Sequence, residues 1–144
     1  MILFDKSTVY KIKASIGHAT PETGGIIGSK DGVICKFYYD YMGCSTSTYY
    51  IPSTAVEGVI RLWYSQGYSF EGFIHSHVGR FSPTDADVKY SLEVLRWYEY
   101  EFDLYKEEIL IPIVESAWNS SAFRIHGFSS DKAGELLHCK IKYN

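Results

Sequence analysis

Two histidines one residue apart, His75-Ser76-His77, are the side chains of this sequence best placed to do chemistry. They end the run Glu71-Gly72-Phe73-Ile74-His75-Ser76-His77, which reads as a β-strand. Strand side chains alternate between faces, so His75 and His77 point to the same side. Two neutral imidazoles presented this way can share one zinc ion. Further along, Ser82-Pro83-Thr84-Asp85 reads as a helix start, with Ser82 as N-cap, Pro83 at N1 and Asp85 at N3. A short reversing loop would return the Asp85 carboxylate to the histidines. Two nitrogens and one oxygen leave a fourth tetrahedral position open, which distinguishes a catalytic zinc from a structural one.

Each piece alone has a plainer reading. An H-x-H on a strand is more often two partly buried histidines, and Ser-Pro-x-Asp is by itself a helix cap. Capping and ligation are compatible, because a carboxylate has two oxygens. Asp87 is a substitute ligand that ranks second, since it stands outside the Ser82-x-x-Asp85 register. Glu57 and Glu71 are rival general bases, and strand parity puts Glu71 on the face of His75. His18, His126 and His138 read as ordinary histidines.

The elements that must position these residues follow from pattern. Residues 7–17 are mixed, helix or extended. Residues 18–25 form a loop rich in turn formers. Ile26-Ile27-Gly28 and residues 33–42 read as the two strands of a hairpin turning at Asp31-Gly32. Residues 49–52 suggest a strand ending at Pro52. Ser53 then caps a helix whose apolar face is Val56, Val59, Ile60 and Trp63, ended by Gly67. The helix after Ser82 carries the stripe Val88, Leu92, Leu95 and Phe102. Residues 109–114 and 122–128 read as strands, and 137–143 as a last helix or strand. Interleaving of this kind predicts a mixed α/β (α+β) domain, with a central, mostly antiparallel sheet flanked by helices.

Composition narrows the function. A chain of 144 residues with 46% apolar residues is long enough to bury a core as one domain over residues 1–144. Its 13 tyrosines read as core and rim. A net charge of −3 offers no basic footprint, which argues against nucleic acid. No apolar run is long enough to span a bilayer, and the acidic Asp5 stands where a leader would need a long apolar stretch, so a cytoplasmic location is expected. Cys35, Cys44 and Cys139 are odd in number and lack C-x-x-C spacing. Three buried, reduced thiols are expected rather than disulfides or a thiolate zinc site.

The order Glu22, His75-Ser76-His77, Ser82-Pro83-Thr84-Asp85 resembles the JAMM (MPN-plus, JAB domain) zinc metallopeptidases. Pro21-Glu22-Thr23-Gly24-Gly25-Ile26-Ile27-Gly28 is similar to that family's first strand with its preceding glutamate. The resemblance implies a cytidine-deaminase-like JAB/MPN core, with His75, His77 and Asp85 as zinc ligands. It also implies that Glu22 is the general base and that Ser82 stabilises the tetrahedral intermediate. The implied substrate is a protein or peptide, commonly the C-terminal tail of a ubiquitin-like protein. Non-catalytic scaffolds and partner-activated subunits of the same fold are the alternative. Two features depart from the pattern. Val78 follows the H-x-H where proline is usual, and the loop from His77 to Ser82 is about three residues short.

Overall fold

The computed structural model describes residues 1–16, 23–40, 53–77, 81–116 and 123–144. Its first hairpin joins β2 (Gly24–Lys30) to β3 (Val33–Tyr39). The turn residues Asp31 and Gly32 take φ of 53° and 80°, the left-handed region that a two-residue hairpin turn demands. β4 (Ser69–His77) pairs antiparallel with β2 and parallel with β6 (Ile113–Ser116). Beyond β6 lies β7 (Phe123–Asp131), which also takes β5 (Glu108–Leu110) and β8 (Leu136–Cys139). On the far flank, β1 (Ile2–Phe4) joins β3 to β9 (Ile141–Tyr143).

This is a mixed α+β architecture with a central sheet and flanking helices. Among the described residues, five of the nine strand pairings are antiparallel. The segment expected as one last element is two strands, β8 and β9, paired to opposite flanks of the sheet. It therefore ties one flank to the other and curls the sheet. Residues 109–114 are likewise divided into β5 and β6, because Pro112 has no N–H for a continuous ladder.

Helices cover both faces. α1 (Lys6–Ser15) resolves the mixed pattern as helix and buries Ile12, with Ile16 beyond it, among Ile27, Ile74 and Val114. α2 (Ser53–Ser65) and α3 (Asp85–Phe102) pack on the opposite face, over Phe70, Phe73 and Ile113. The expected α2 stripe holds: Val56, Ile60 and Trp63 are buried, with Val59 packed beside them. The expected α3 stripe holds in part: Leu95 is buried and Val88 and Phe102 pack against the core, and the fully buried line also takes in Ser91, Val94 and Tyr98. Tyr98 supplies the apolar body that a count of aliphatic residues misses, with its ring 5.3 Å from Phe70 and 5.0 Å from Phe102. Cys35 and Cys139 are free but only half-buried, and Cys44, like the strand expected at 49–52, lies outside the described residues. Among the described residues no helix is long and apolar enough to cross a membrane.

The strand that carries the histidines is irregular at its start. Gly72 pairs with Ile27 and Phe70 with Gly28, so Glu71 is an extra residue that makes a bulge. Phe70 and Phe73 consequently enter the same core although three residues apart. Gly72 has φ 153°, and a Cβ there would collide with the Leu110 backbone carbonyl. We therefore expect Gly72→Ala to destabilise the fold by roughly 2–4 kcal/mol. Urea unfolding should show this as a lower midpoint, and an unchanged midpoint would show that the bulge tolerates a side chain.

Candidate metal centre

β4 is an interior strand, and its last residues are locked from both sides. Gly24 of β2 is the register partner of His75, while Ile113 and Glu115 of β6 partner His75 and His77. Ser76 points to the other face and is tied to Thr23. Its backbone N–H donates to the Thr23 carbonyl at 2.8 Å, and its Oγ accepts the Thr23 N–H at 3.0 Å. The residue between the histidines thus fixes the strand, and the histidines take the face beneath the helices. Both are almost wholly buried, 2% and 3% exposed. Their Nε2 atoms are 2.7 Å apart, a contact that requires one nitrogen to donate a proton to the other.

The carboxylate that meets them is Asp87. Its Oδ1 is 3.4 Å from His75 Nε2 and its Oδ2 is 3.3 Å from His77 Nε2. Asp85, expected as the third ligand, is the exposed first residue of α3 and is not part of the group. The cap explains the difference. Thr84, not Ser82, is the N-cap: its Oγ1 accepts the Asp87 N–H at 3.1 Å, and Asp87 Oδ2 accepts the Thr84 N–H at 2.8 Å. This reciprocal capping box sets the helix two residues later than Ser82-x-x-Asp85 would, so Asp87 occupies N3. The box also aims the carboxylate, because the same Oδ2 faces His77.

Electrostatics follow from this packing. Burial pushes the Asp87 carboxyl up, but hydrogen bonding from His75 and His77, the charge of His75 and the Thr84 N–H outweigh it. The net effect holds Asp87 well below the usual carboxylate range.

The donor set fits a metal. His75, His77 and Asp87 each offer one ligand atom, all within 4.8 Å of one another. Donors at zinc-like bond lengths stand about 3.3–3.5 Å apart around a tetrahedron, and each histidine has a different Asp87 oxygen at that spacing, so one carboxylate oxygen must shift to serve both. The 2.7 Å histidine pair must part by roughly 0.6 Å to share an ion. Two imidazoles and a carboxylate are a donor set that zinc accepts, as other first-row divalent ions do.

The remaining candidates fall as follows. Glu22 and His18 lie outside the described residues, as does the loop start at Val78 and Gly79. Ser82 is half-buried in the segment ahead of the Thr84 cap. Glu71 does not share the face of His75, because the bulge breaks parity. It accepts from Ser29 Oγ at 3.1 Å and pairs with Lys106 at 3.3 Å. Glu57 pairs with Arg61 at 3.0 Å. His138 packs its ring 5.0 Å from Phe128, and His126 is bonded to Glu115. Asp87 was legible in one respect: Thr84-x-x-Asp87 is a second hydroxyl-x-x-acid register. It lengthens the loop after His77 from four residues (78–81) to six (78–83), removing most of the shortfall against the family pattern.

No family model matches the chain, and no curated protein matches it in sequence. Solved structures do match in fold. One is the solution structure of protein DSY2949 from Desulfitobacterium hafniense, with 18% identity and a TM-score of 0.71 over 100% of this chain and 93% of that one. Another is AF2198, a JAB1/MPN domain protein from Archaeoglobus fulgidus, with 12% identity and a TM-score of 0.51 over 98% and 97% of the two chains. The architecture is that of the JAB/MPN fold.

Two outcomes follow from the centre. Asp87→Asn should weaken zinc binding by more than the roughly 10–100-fold that loss of an outer-sphere partner costs, whereas Asp85→Asn should leave it unchanged. Competition with a chelating dye reads both, and equal losses would mean that the ligand is misassigned. In metal-free protein the depressed Asp87 favours the folded state while it is charged. That contribution is complete above the unfolded carboxylate value near pH 4 and is lost as pH falls toward the depressed folded value. Asp87→Asn should therefore flatten the acid limb of stability below about pH 4, measured by denaturant unfolding at several pH values.

Proposed function

We propose that this chain is a zinc-dependent metallopeptidase or isopeptidase with His75, His77 and Asp87 as the protein ligands. The observation that carries the reading is the convergence of two buried imidazoles and a capped carboxylate on one point beneath the helices of a JAB/MPN fold. Bound zinc would supply Lewis acidity toward a carbonyl oxygen and make a water nucleophilic near neutral pH.

The chain's own residues supply the rest. The three ligands leave one side of a tetrahedral ion for reactants, and Asp87, with its side chain 19% exposed, marks the direction of access. Glu22 is the general base in this reading. It takes a proton from the attacking water and returns it to the leaving amine nitrogen as the C–N bond breaks. Its neighbour Thr23 is bonded to Ser76 between the two ligands, which supports a role for this stretch at the centre. Ser82 is the candidate donor to the developing oxyanion. The substrate class is an extended protein or peptide tail, with the C-terminal tail of a ubiquitin-like protein as the first to test.

The test combines metal content and hydrolysis in the cytosolic pH range. Purified wild type should hold one zinc per chain and His77→Ala close to none. Glu22→Gln should keep its zinc but lose hydrolysis of a ubiquitin-like C-terminal fusion by about 100-fold or more. A wild type without zinc under metal-replete conditions would sink the proposal. Full activity in Glu22→Gln would remove only the base.

A further inference from the structure

His126 has no part in the proposed hydrolysis, yet it sits on the same sheet row as the metal group. His75 is the register partner of Ile113, and Ile113 is that of His126. Register partners share a face, and two strand spacings put His126 about 10 Å from His75. Two contacts constrain its ring. Nε2 lies 3.1 Å from Glu115 Oε2, and Glu115 is in turn the register partner of His77. The ring also stacks on Phe81, with centroids 5.4 Å apart and planes 8° from parallel.

Phe81 opens the segment that leads into α3. From there Pro83 is buried, Thr84 caps the helix and Asp87 reaches the histidines. The capping box fixes Asp87 relative to Thr84, but it does not fix Thr84 relative to the sheet. The Phe81–His126 stack joins this segment to β7, which is paired to β5, β6 and β8, and so adds to the burial of Pro83 and the packing of α3 a contact at the start of the helix. We propose that His126 is a positioning residue. Held by Glu115, it docks Phe81 and sets the point from which α3 begins, so that Asp87 arrives beside His75 and His77.

The consequence for zinc rests on the metallopeptidase reading, while the consequence for α3 does not. The test therefore starts with amide hydrogen exchange of the metal-free, full-length chain at the Asp87 N–H, which donates to Thr84 Oγ1. His126→Ala and Phe81→Ala should each speed that exchange about fivefold, the scale of one aromatic pair. The double variant should go no further than either single one. His126→Phe, which keeps a stacking ring, should restore protection, and Val94 and Leu95 in the middle of α3 should be unaffected. Unchanged exchange at Asp87 in both single variants, or additive effects in the double, would overturn the proposal. Phe81 is partly exposed, so Phe81→Ala decides the matter should His126→Ala fail to fold. Zinc titration of the same variants should show weakening of similar size. Faster exchange in a chain that takes no zinc upholds the positioning role and defeats the metallopeptidase reading. Zinc binding with unchanged exchange does the reverse.

Discussion

Two imidazoles buried nitrogen to nitrogen, with one carboxylate across from both, are the arrangement on which the rest of this structure turns. Ring nitrogens removed from water need partners, and only one proton can lie between two nitrogens that face each other at this distance. Asp87 answers that need from the exposed side, and a metal ion would answer it more fully. Much of the fold serves to bring these three groups together. β4 is clamped between β2 and β6, Ser76 is pinned to Thr23 on the reverse face, and α3 begins where its third residue reaches the strand.

The helix start shows how one local interaction decides which carboxylate meets the histidines. Ser82-x-x-Asp85 and Thr84-x-x-Asp87 both carry the letters of a cap. The second completes a box with two reciprocal bonds, and its acid also meets buried nitrogen atoms. Local and tertiary preferences agree there and conflict at Asp85, whose side would be solvent. Agreement between levels is what selects one register over another.

Much of the strand-level information could be read from the chain. Alternation at His75 and His77, the Asp31-Gly32 turn and the apolar face of α2 follow from period and turn chemistry, which act over a few residues. What escaped depends on distant partners. The bulge at Glu71 is imposed by pairing with β2, and the burial of Tyr98 by packing against Phe70. The choice between Asp85 and Asp87 depends on where β4 has placed its histidines. Pro112 is the exception: its effect is local, and a proline inside the run 109–114 argues by itself for two strands.

The chain shares its fold with the JAB1/MPN domain protein from Archaeoglobus fulgidus, and it assembles two histidines and an aspartate at one point. The fold alone does not define an activity. What would define it is one ion held by three side chains, His75, His77 and Asp87. A crystal structure of the zinc-loaded chain, with anomalous scattering measured across the zinc absorption edge, tests it most directly. The account predicts a single strong peak about 2.0–2.2 Å from His75 Nε2, His77 Nε2 and an Asp87 carboxylate oxygen. A peak that engages Asp85 instead, or no zinc at the histidine pair, would contradict it.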